Sequence, residues 1–540
     1  MKTGNIYLLI VLFMTSMVAD AGLKPIFDGS TPMSVRHEMT QRYMKMMAAN
    51  HQLNKVGKRE TAALTSMGSP KVPVILVEFN DKKFTTIEEG KVNAAYDLFC
   101  NGTRDGNLYN GAGSYGAVRD YFAEQSDSLF QPEFVVIGPV TLSEGYGYYG
   151  KNSASATDVN ISAFYRESIQ EANKLNVDWN QFDNDRNGTI DMVFFIYAGP
   201  GENDSQNNDE YTIWPKENSS GGTIDGKRFG AYACCNEEFR GKLDGIGPMC
   251  HELSHALGLP DFYDTNYIAF GLDYWDIMDS GCYCSNNKYP CNYSAYEREF
   301  MGWRKLETLE AGVGQNVTIY PLHRKGSTSY KIVNAEDKDE YYVLENRQSE
   351  GWDKYLGYGI KEPYGYHHGL MVTHVQYVEG RWTGNSVNRY PEHQLITLIP
   401  ADSTLHSSMF YGEDKAWSME ENKWVAGYDK DFFLKSASGD LYPGNTGKTD
   451  LQGRKAYVYS STGDTPHMMN QPITDIEEHE DGSITFKFCG GDITAVNDVR
   501  NSDGIDNSSI FDMLGRRVSV DRNQLNTGIY IINGKKVLAK

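Results

Sequence analysis

The stretch that decides the fold lies at residues 248–261 and reads PMCHELSHALGLPD. Pro248 suits the first position of a helix, because the N–H that proline lacks would have no partner there in any case. Gly258 suits the position just after a helix, where the backbone often turns left-handed. The pattern therefore predicts a helix from Pro248 to Leu257, followed by a sharp turn.

Two histidines of this predicted helix are spaced to bind one metal ion. His251 and His255 stand at positions i and i+4, which places both imidazoles on one face of a helix. Both ring nitrogens can then lie about 2.0–2.1 Å from a common Zn²⁺. Glu252 adjoins the first histidine and can reach a water on the open side of the ion, which makes it the candidate general base.

The third zinc ligand is defined less closely by spacing. The motif continues to Asp261, and Gly258 lets the chain turn back so that an aspartate oxygen can replace a third imidazole. Three other carboxylates are alternatives, namely Asp264 in the same loop and Glu297 or Glu299 in a predicted helix further along. We favour Asp261, because the turn at Gly258 returns it to the metal.

A methionine follows the motif in a turn-forming context. Met278 lies in WDIMDSG at residues 275–281, which resembles the Met-turn beneath the zinc of metzincins. The expected chemistry is hydrolysis in which zinc activates a water and polarises the scissile carbonyl, while Glu252 carries the proton to the leaving amine. The group that stabilises the oxyanion is left open between a Tyr or His of the loop after Met278 and Tyr296.

A second ion site is indicated upstream by a run of acidic and amide residues. The sequence DNDRNGTID at residues 183–191 copies the spacing of a calcium-binding loop, with glycine where the loop turns sharply. Phe194 stands where such loops carry a bidentate glutamate, so calcium needs a further ligand. An Asx-rich turn without an ion is the alternative. The candidate calcium ligands are Asp183, Asp185, Asn187, Thr189 and Asp191.

Length and charge limit the number of domains and the kinds of partner. A chain of 540 residues exceeds one core, because single cores stop growing at roughly 250–300 residues. The chain has 51 basic and 72 acidic residues and a net charge of −21, so we expect no nucleic-acid partner. The expected partners are protein or peptide substrates, and the chain is expected to be a monomer.

The N-terminus has the pattern of a signal peptide. Lys2 precedes an apolar stretch from Ile6 to Val18, and small residues follow at Ala19 and Ala21. We therefore predict a signal peptide at residues 1–21. No later segment approaches the roughly 18 apolar residues of a transmembrane helix, so the protein is expected to be secreted or attached to the cell surface after export.

Residues 22–70 are typical of a prosegment and linker, because they are polar and helix-prone from Ser34 to Gln52. This segment contains no cysteine, so an acidic residue is the expected inhibitor of the zinc site. Asp28 and Glu38 are the candidates.

Helices alternate with apolar strands in residues 71–308, which predicts a layer of helices on a sheet. Because this segment also carries the extended zinc motif, which resembles that of zincins, we expect it to be a zincin-type catalytic domain with a mixed sheet and an active-site helix. Residues 309–490 contain short strands of period two and predict a β-rich accessory domain. Residues 491–540 contain two hairpin-like pieces and predict a small β module. The expected fold class is α+β. The predicted elements of the catalytic domain include strands at 72–79, 134–142 and 192–198 and helices at 114–125 and 161–173.

Several of these motifs, in this order, resemble the immune inhibitor A family of zinc metallopeptidases over residues 72 to about 410. They include VPVILVEF, AVRDYFAEQS, DNDRNGTIDMVFFIYAG, HELSHALGLPDFYD, YWDIMDSG and HGLMVTHV. The resemblance implies a metzincin-like, zinc-dependent endopeptidase that is secreted and made as a precursor. It carries over His251, Glu252 and His255 at matching positions, and Asp261 with them.

The C-terminal module resembles the sorting domain of the type IX secretion system. The similarity rests on GRRV at residues 515–518 and GIYI at 528–531, followed by a lysine-rich hairpin. It implies the type IX export machinery as a partner.

Two other functions compete with a protease. One is a surface adhesin or scaffold that retains an inactive protease fold, and the intact Glu252 argues against it. The other is a zinc hydrolase acting on glycans or non-peptide amides, against which the extended motif and Met278 favour peptide bonds. The sequence therefore predicts a secreted zinc-dependent endopeptidase.

Overall fold

The computed structural model describes most of residues 20–491 and a set of strands beyond them. The described residues are 20–26, 34–35, 38–39, 42, 63–109, 111–154, 156–204, 206–207, 209–219, 221–265, 269–356, 368–390, 392–407, 416–419, 421, 423–425, 436–452, 457–460, 463–468, 471–491, 510–512, 517–518, 528–532 and 535–539.

The predicted signal peptide lies outside the described residues, apart from its last two, which belong to the first strand. The prosegment is described only in part. Asp28 falls outside the described residues, and Glu38 is exposed to solvent.

An eight-stranded mixed sheet forms the frame of the N-terminal half, in the order β1-β5-β7-β4-β2-β3, with β6 and β8 paired to β7. The strands β7, β4, β2 and β3 are parallel, whereas β5 is antiparallel to β7, and β1 is antiparallel to β5. The bounds are β1 Asp20–Gly22, β2 Lys71–Glu78, β3 Glu133–Thr141, β4 Thr189–Pro200, β5 Lys216–Asn218, β6 Gly222–Ile224, β7 Lys227–Phe239 and β8 Lys242–Leu243.

The helices are short and lie on both faces of this sheet or beyond it. Their bounds are α1 Val92–Asn101, α2 Val118–Gln125, α3 Tyr146–Tyr149, α4 Ile161–Asn173, α5 Gly247–Ala256, α6 Cys284–Asn287, α7 Ala295–Phe300 and α8 Glu379–Trp382. Single 3₁₀ turns occur at Trp179–Phe182, Asp273–Trp275, Ser280–Tyr283 and Gly351–Tyr355.

Alternate residues of β2 enter two different cores, because successive side chains of a strand point to opposite faces. Val74 belongs to the core that contains Leu253 of α5, whereas Ile75 belongs to the core that contains Phe164 of α4. A strand covered on both faces must be apolar at nearly every position. This requirement explains the continuous apolar runs of β2 and β4.

The C-terminal half is built from smaller antiparallel sheets. A five-stranded sheet has the order β14-β13-β12-β11-β9, in which only the β9–β11 pair is parallel. Three-stranded sheets have the orders β10-β21-β20 and β15-β16-β17, and β18 pairs with β19. The bounds are β9 Glu307–Thr308, β10 Gln315–Ile319, β11 Tyr330–Val333, β12 Glu340–Arg347, β13 Gly369–Gln376, β14 Ile396–Leu398, β15 Thr404–Leu405, β16 Ala416–Ser418, β17 Lys423–Val425, β18 Tyr457–Ser460, β19 Gly463–Met468, β20 Ile473–Glu478 and β21 Ile484–Phe488.

A four-stranded antiparallel sheet ends the chain, in the order β23-β22-β24-β25. Its strands are β22 Ile510–Asp512, β23 Arg517–Val518, β24 Gly528–Ile532 and β25 Lys535–Ala539.

The mixed α and β composition agrees with the sequence prediction, and the predicted helix at 161–173 has the bounds of α4. The helix predicted from Ser114 is wrong at its start, since α2 begins at Val118. The carboxylate of Asp120 accepts a hydrogen bond from the backbone N–H of Ala117 at 3.2 Å and so fixes the first turn there. Within the described part of the chain, no helix combines the length and apolar character that crossing a membrane requires.

Candidate metal centre

Helix α5 brings the two histidines of the motif together in the interior. His251 and His255 are 0% and 1% exposed, and their Nε2 atoms lie 3.1 Å apart. The Nδ1 of His251 lies 2.7 Å from the carbonyl oxygen of Ile277, and that of His255 lies 2.8 Å from the carbonyl of Leu259. A carbonyl only accepts hydrogen bonds, so each Nδ1 carries the hydrogen and each Nε2 directs a lone pair at the other.

Asp261 completes the group, because the chain reverses after α5. Gly258 has a φ of +110°, in the left-handed region that favours glycine. The Oδ1 atom of Asp261 lies 3.3 Å from the Nε2 atom of each histidine. Burial raises the pKa of Asp261, but the charges and hydrogen bonds of His255 and His251 together lower the pKa by a larger amount. The net shift is downward, so the carboxylate is charged.

The three facing atoms fit a bound cation. Two imidazole nitrogens and one carboxylate oxygen, all buried, lie within 4.8 Å of one another. If both histidines are neutral, no hydrogen-bond donor lies between these lone pairs, so they repel each other unless a proton or a metal ion places a positive charge among them. Nitrogen and oxygen donors in this number also suit Zn²⁺ with one coordination position left open.

Glu252 lies beside this group without a polar partner of its own. Its side chain is fully buried, and neither carboxylate oxygen forms a hydrogen bond to another described residue. Burial raises the pKa of Glu252 well above its usual value, and the negative charges of Asp261 and Glu217 raise it further. The nearby backbone amide of Leu23 offsets part of this rise. A buried carboxylate with a raised pKa is typical of a general base.

The turn that contains Met278 supports the first histidine from below. Met278 is fully buried, and its carbonyl oxygen accepts a hydrogen bond from the backbone N–H of Phe262 at 2.9 Å. The preceding residue, Ile277, supplies the carbonyl that orients the ring of His251. The turn therefore fixes both the histidine and the loop that carries Asp261.

Asn385 is a site residue that sequence reasoning missed. Its side-chain amide donates to Oδ2 of Asp261 at 2.7 Å, and its side-chain oxygen accepts from the backbone N–H of Asp261 at 2.7 Å. The two residues are 124 positions apart, so no local spacing signals the pair. Hydrogen bonds of this kind orient a ligand carboxylate and tune its affinity for metal.

The three alternative ligands are engaged elsewhere. Asp264 accepts a hydrogen bond from the backbone N–H of Ala269 at 2.8 Å. Glu297 caps the N-terminus of α7 through Ser294. Glu299 forms an ion pair with Lys331 at 2.9 Å. Among the described residues, none of these three carboxylates joins the histidine group.

Two tyrosines are among the candidates for the group that stabilises the oxyanion. Tyr283, from the loop after Met278, donates a hydrogen bond to the carbonyl oxygen of Lys24 at 2.6 Å. Tyr296 packs against Phe262, with ring centroids 5.8 Å apart.

The acidic loop before β4 brings three of its five predicted ligands together. Oxygen atoms of Asp183, Asp185 and Asp191 lie within 4.8 Å of one another. The side chain of Asn187 donates to Asp185 at 2.8 Å and accepts from the backbone N–H of Thr189 at 2.8 Å, so it braces the loop. The backbone N–H of Gly188 donates to Asp183 at 2.9 Å, and Gly188 has a φ of +82°.

The loop is tied to the central sheet through one amide. The side-chain oxygen of Asn184 accepts from the backbone N–H of Lys71 at 2.8 Å, and its nitrogen donates to Asp191 at 2.9 Å. Burial raises the pKa of Asp191 to about 6, and the charges of Asp185 and Asp183 add to the rise.

A buried group of two histidines and an aspartate beside an unpartnered glutamate defines a candidate metal-dependent hydrolase. The comparisons with known proteins agree with this class. Residues 59–307 match the family model described as immune inhibitor A peptidase M6, catalytic domain. The match supports a metal-dependent protease. The matched residues end before Asn385.

The similar curated proteins carry the same family name or describe a metalloprotease. Immune inhibitor A of Bacillus thuringiensis subsp. alesti is 25% identical over 320 residues, covering 50% of this chain and 46% of the relative. The pre-pro-metalloprotease PrtV of Vibrio cholerae serotype O1 is 25% identical over 270 residues, covering 43% of this chain and 29% of the relative. The chain thus spans less than half the length of these relatives.

Proposed function

We propose that this chain is a secreted zinc-dependent endopeptidase in which His251, His255 and Asp261 hold the zinc and Glu252 is the general base. The observation that carries the proposal is the convergence of three buried electron-rich atoms, 3.1–3.3 Å apart, with no donor to separate them. The match of residues 59–307 to a peptidase family supports peptide bonds as the substrate.

Zinc, when bound, would supply a Lewis acid that activates a water and polarises the scissile carbonyl. The residues of the chain supply the rest. The carbonyls of Ile277 and Leu259 keep the two imidazoles in the tautomer that binds metal. Glu252 accepts the proton of the water and delivers it to the leaving amine, and its burial makes it a stronger base than an exposed glutamate.

The packing of α5 against strands β5 and β7 of the sheet and the turn at Met278 support a zincin-type catalytic domain with metzincin-like features. We also propose that Asp183, Asp185 and Asp191 bind calcium, with a structural role at the junction of the loop with β4. The hydrogen bond from Lys71 to Asn184 supports that role, because it links the loop to the first residue of β2.

Export is part of the same proposal. The signal peptide at residues 1–21 would direct the chain across the inner membrane, and the C-terminal module would address it to the type IX export machinery. The four-stranded sheet of β22 to β25 is consistent with a separate module for that purpose.

The test is hydrolysis of casein, with zinc content measured on the same samples. The protein is expressed as the full chain and allowed to mature, and it is compared with Glu252→Gln. Glu299→Gln is the matched control, because Glu299 pairs with Lys331 and not with the histidine group. We expect one zinc in all three proteins and hydrolysis in all but Glu252→Gln.

Zinc without hydrolysis in the unmutated protein would refute the endopeptidase and favour a binding protein. Hydrolysis that survives Glu252→Gln would refute the assigned base.

A further inference from the structure

Residues 20–26 lie at the edge of the main sheet, beside the helix that carries the metal-centre histidines. Strand β1 is antiparallel to β5 at the edge of the main sheet, with Gly22 opposite Lys216. The pairing continues past the strand, since the backbone N–H of Leu23 donates to the carbonyl of Pro215 at 3.2 Å. An extended peptide that adds a strand to a sheet edge is a common way in which proteins bind peptides.

Further contacts hold the backbone of this segment from the other side. The indole N–H of Trp214 donates to the carbonyl oxygen of Leu23 at 2.7 Å. The hydroxyl of Tyr283 donates to the carbonyl oxygen of Lys24 and is itself oriented by the side-chain amide of Asn203, at 3.2 Å. Every one of these contacts is made to main-chain atoms, which any peptide sequence offers.

The same segment reaches the helix of the proposed general base. Strand β1, which Leu23 follows directly, contacts helix α5, and α5 carries Glu252. Leu23 is fully buried. The segment therefore lies at the sheet edge beside the helix that carries Glu252.

Lys24 inserts its side chain into an acidic pocket next to the metal centre. It is 2% exposed, and its Nζ donates to Oδ1 of Asp279 at 2.9 Å and to the hydroxyl of Ser280 at 3.1 Å. The ring of Tyr263 lies on the other side, 5.7 Å from Nζ to the ring centroid. Tyr263, Asp279 and Ser280 are called the Asp279 pocket below.

The carboxylate of this pocket is fixed before any lysine arrives. Oδ2 of Asp279 accepts from the backbone N–H of Leu272 at 3.1 Å and of Asp273 at 2.8 Å. Oδ1 accepts from the backbone N–H of Ser280 at 2.7 Å, which leaves room for one cationic donor. Asp279 also follows Met278 directly, so the pocket adjoins the turn that supports His251.

We propose that the Asp279 pocket selects a lysine or arginine side chain of the peptide substrate, in the way that it holds the side chain of Lys24 in this structure. The proposal rests on the proposed endopeptidase function and names its substrate class. The edge strand β5 binds any main chain, so the pocket carries the selectivity. A substrate without a cation at this position leaves a buried carboxylate without a counter-charge, which disfavours binding of that substrate.

The position of the basic residue follows from the register of the segment. Strand β1 ends at Gly22 beside the helix of Glu252, and Lys24 is the second residue after it toward the C-terminus. We therefore expect the substrate lysine on the C-terminal side of the cleaved bond, either adjacent to that bond or one residue beyond it.

The test compares two fluorogenic peptides that differ only in a lysine or a norleucine at that position. The enzyme is the active protein obtained from the full chain after maturation. We expect kcat/KM to be about 100-fold or more higher for the lysine peptide, because the loss of a partner for a buried polar group costs far more than the loss of a methylene. Mass spectrometry of the products locates the lysine relative to the cleaved bond.

Two controls separate the pocket from the general acidity of the chain. The ratio of the two rates should persist at about 0.5 M NaCl, since salt screens exposed charges much more than buried ones. Asp279→Asn should reduce the ratio to near 1. If that variant does not fold, Ser280→Ala replaces it and should reduce the ratio about tenfold.

The outcomes distinguish the two proposals. Equal rates for the two peptides, or a preference that disappears in high salt, would overturn the Asp279 pocket while leaving the endopeptidase intact. Failure to cleave any peptide of a randomised library would instead overturn the proposed function.

Discussion

Replacing Asn385 with alanine removes the side chain that orients the aspartate of the metal centre. Asn385 makes two hydrogen bonds to Asp261, each 2.7 Å long, one to the carboxylate and one to the backbone N–H. Both residues are buried, so water does not replace the lost partners. Asn385→Ala leaves one donor and one acceptor of Asp261 unsatisfied and lets the carboxylate rotate away from the histidines.

The size of the effect follows from these contacts. Each buried group left without a partner costs about 1–3 kcal/mol, so the loss of two partners should cost the metal-free protein about 2–6 kcal/mol of stability. Loss of a hydrogen bond that orients a ligand typically weakens metal binding about 10- to 100-fold. Zinc affinity is measured by competition with a chromophoric chelator, and stability by thermal unfolding of the metal-free protein.

Asn346→Ala is the matched control for a general loss of stability. Asn346 is also fully buried, and its amide donates to the carbonyls of Ile319 at 2.9 Å and Gly482 at 2.7 Å, away from the site. The control should lower the melting temperature and leave zinc affinity unchanged. The reasoning is refuted if Asn385→Ala binds zinc as tightly as the unmutated protein. In that case Asp261→Asn shows whether Asp261 is a ligand at all.

Three further predictions concern the acidic groups of the chain. Calcium affinity should fall as the pH drops from neutral to about 5. The reason is that burial and the neighbouring Asp185 raise the pKa of Asp191 to about 6, and a protonated carboxyl binds calcium poorly. Calorimetric titration that gives the same affinity at both pH values would contradict this prediction. In the metal-free chain, Glu252→Gln should raise the melting temperature, because burial disfavours the charged form of Glu252 in the folded protein. The increase should grow as the pH rises above 4.5, the usual pKa of glutamate. An increase that is independent of pH would count against this prediction. Glu299→Gln should retain full zinc content, since the partner of Glu299 is Lys331; zinc loss in this variant would make Glu299 a ligand candidate again.

The acidic pocket has a consequence for maturation that does not depend on Asp28 or Glu38. Lys24 and Asp279 form a buried ion pair between the N-terminal segment and the site. A second buried pair links the prosegment residue Arg42 to Glu202 at 2.7 Å. Both pairs hold the segment by charges that are expensive to separate, since breaking a buried pair leaves an uncompensated charge. Separation of the segment from the rest of the protein must therefore overcome the cost of leaving these charges uncompensated.

Much of the fold followed from patterns within single elements. The apolar runs predicted β2 and β4, because a strand covered on both faces excludes polar side chains. Proline and glycine at the two ends predicted α5 to within one residue, because each suits a terminal backbone conformation. The helix at 114–125 was placed too early, since periodicity does not reveal a side chain that caps the backbone from inside the helix.

The candidate site, like the fold, was predicted from the sequence only in part. The sequence by itself determined that His251 and His255 lie on one helical face with Glu252 adjoining it, because the helical repeat relates residues four positions apart whatever surrounds them. Only the tertiary structure showed which of Asp261, Asp264, Glu297 and Glu299 lies beside the two histidines, since all four carboxylates are chemically suitable and only packing brings Asp261 there.

Two contacts between residues far apart in the sequence could not be predicted from the sequence. Asn385 meets Asp261 across 124 positions, and Lys24 meets Asp279 across 255. Neither pair is related by the period of a helix or a strand, so no local pattern encodes it. Such pairs form because the C-terminal sheets pack on the metal loop and the N-terminal segment adds to the sheet edge, and both events depend on the surface of the whole folded chain.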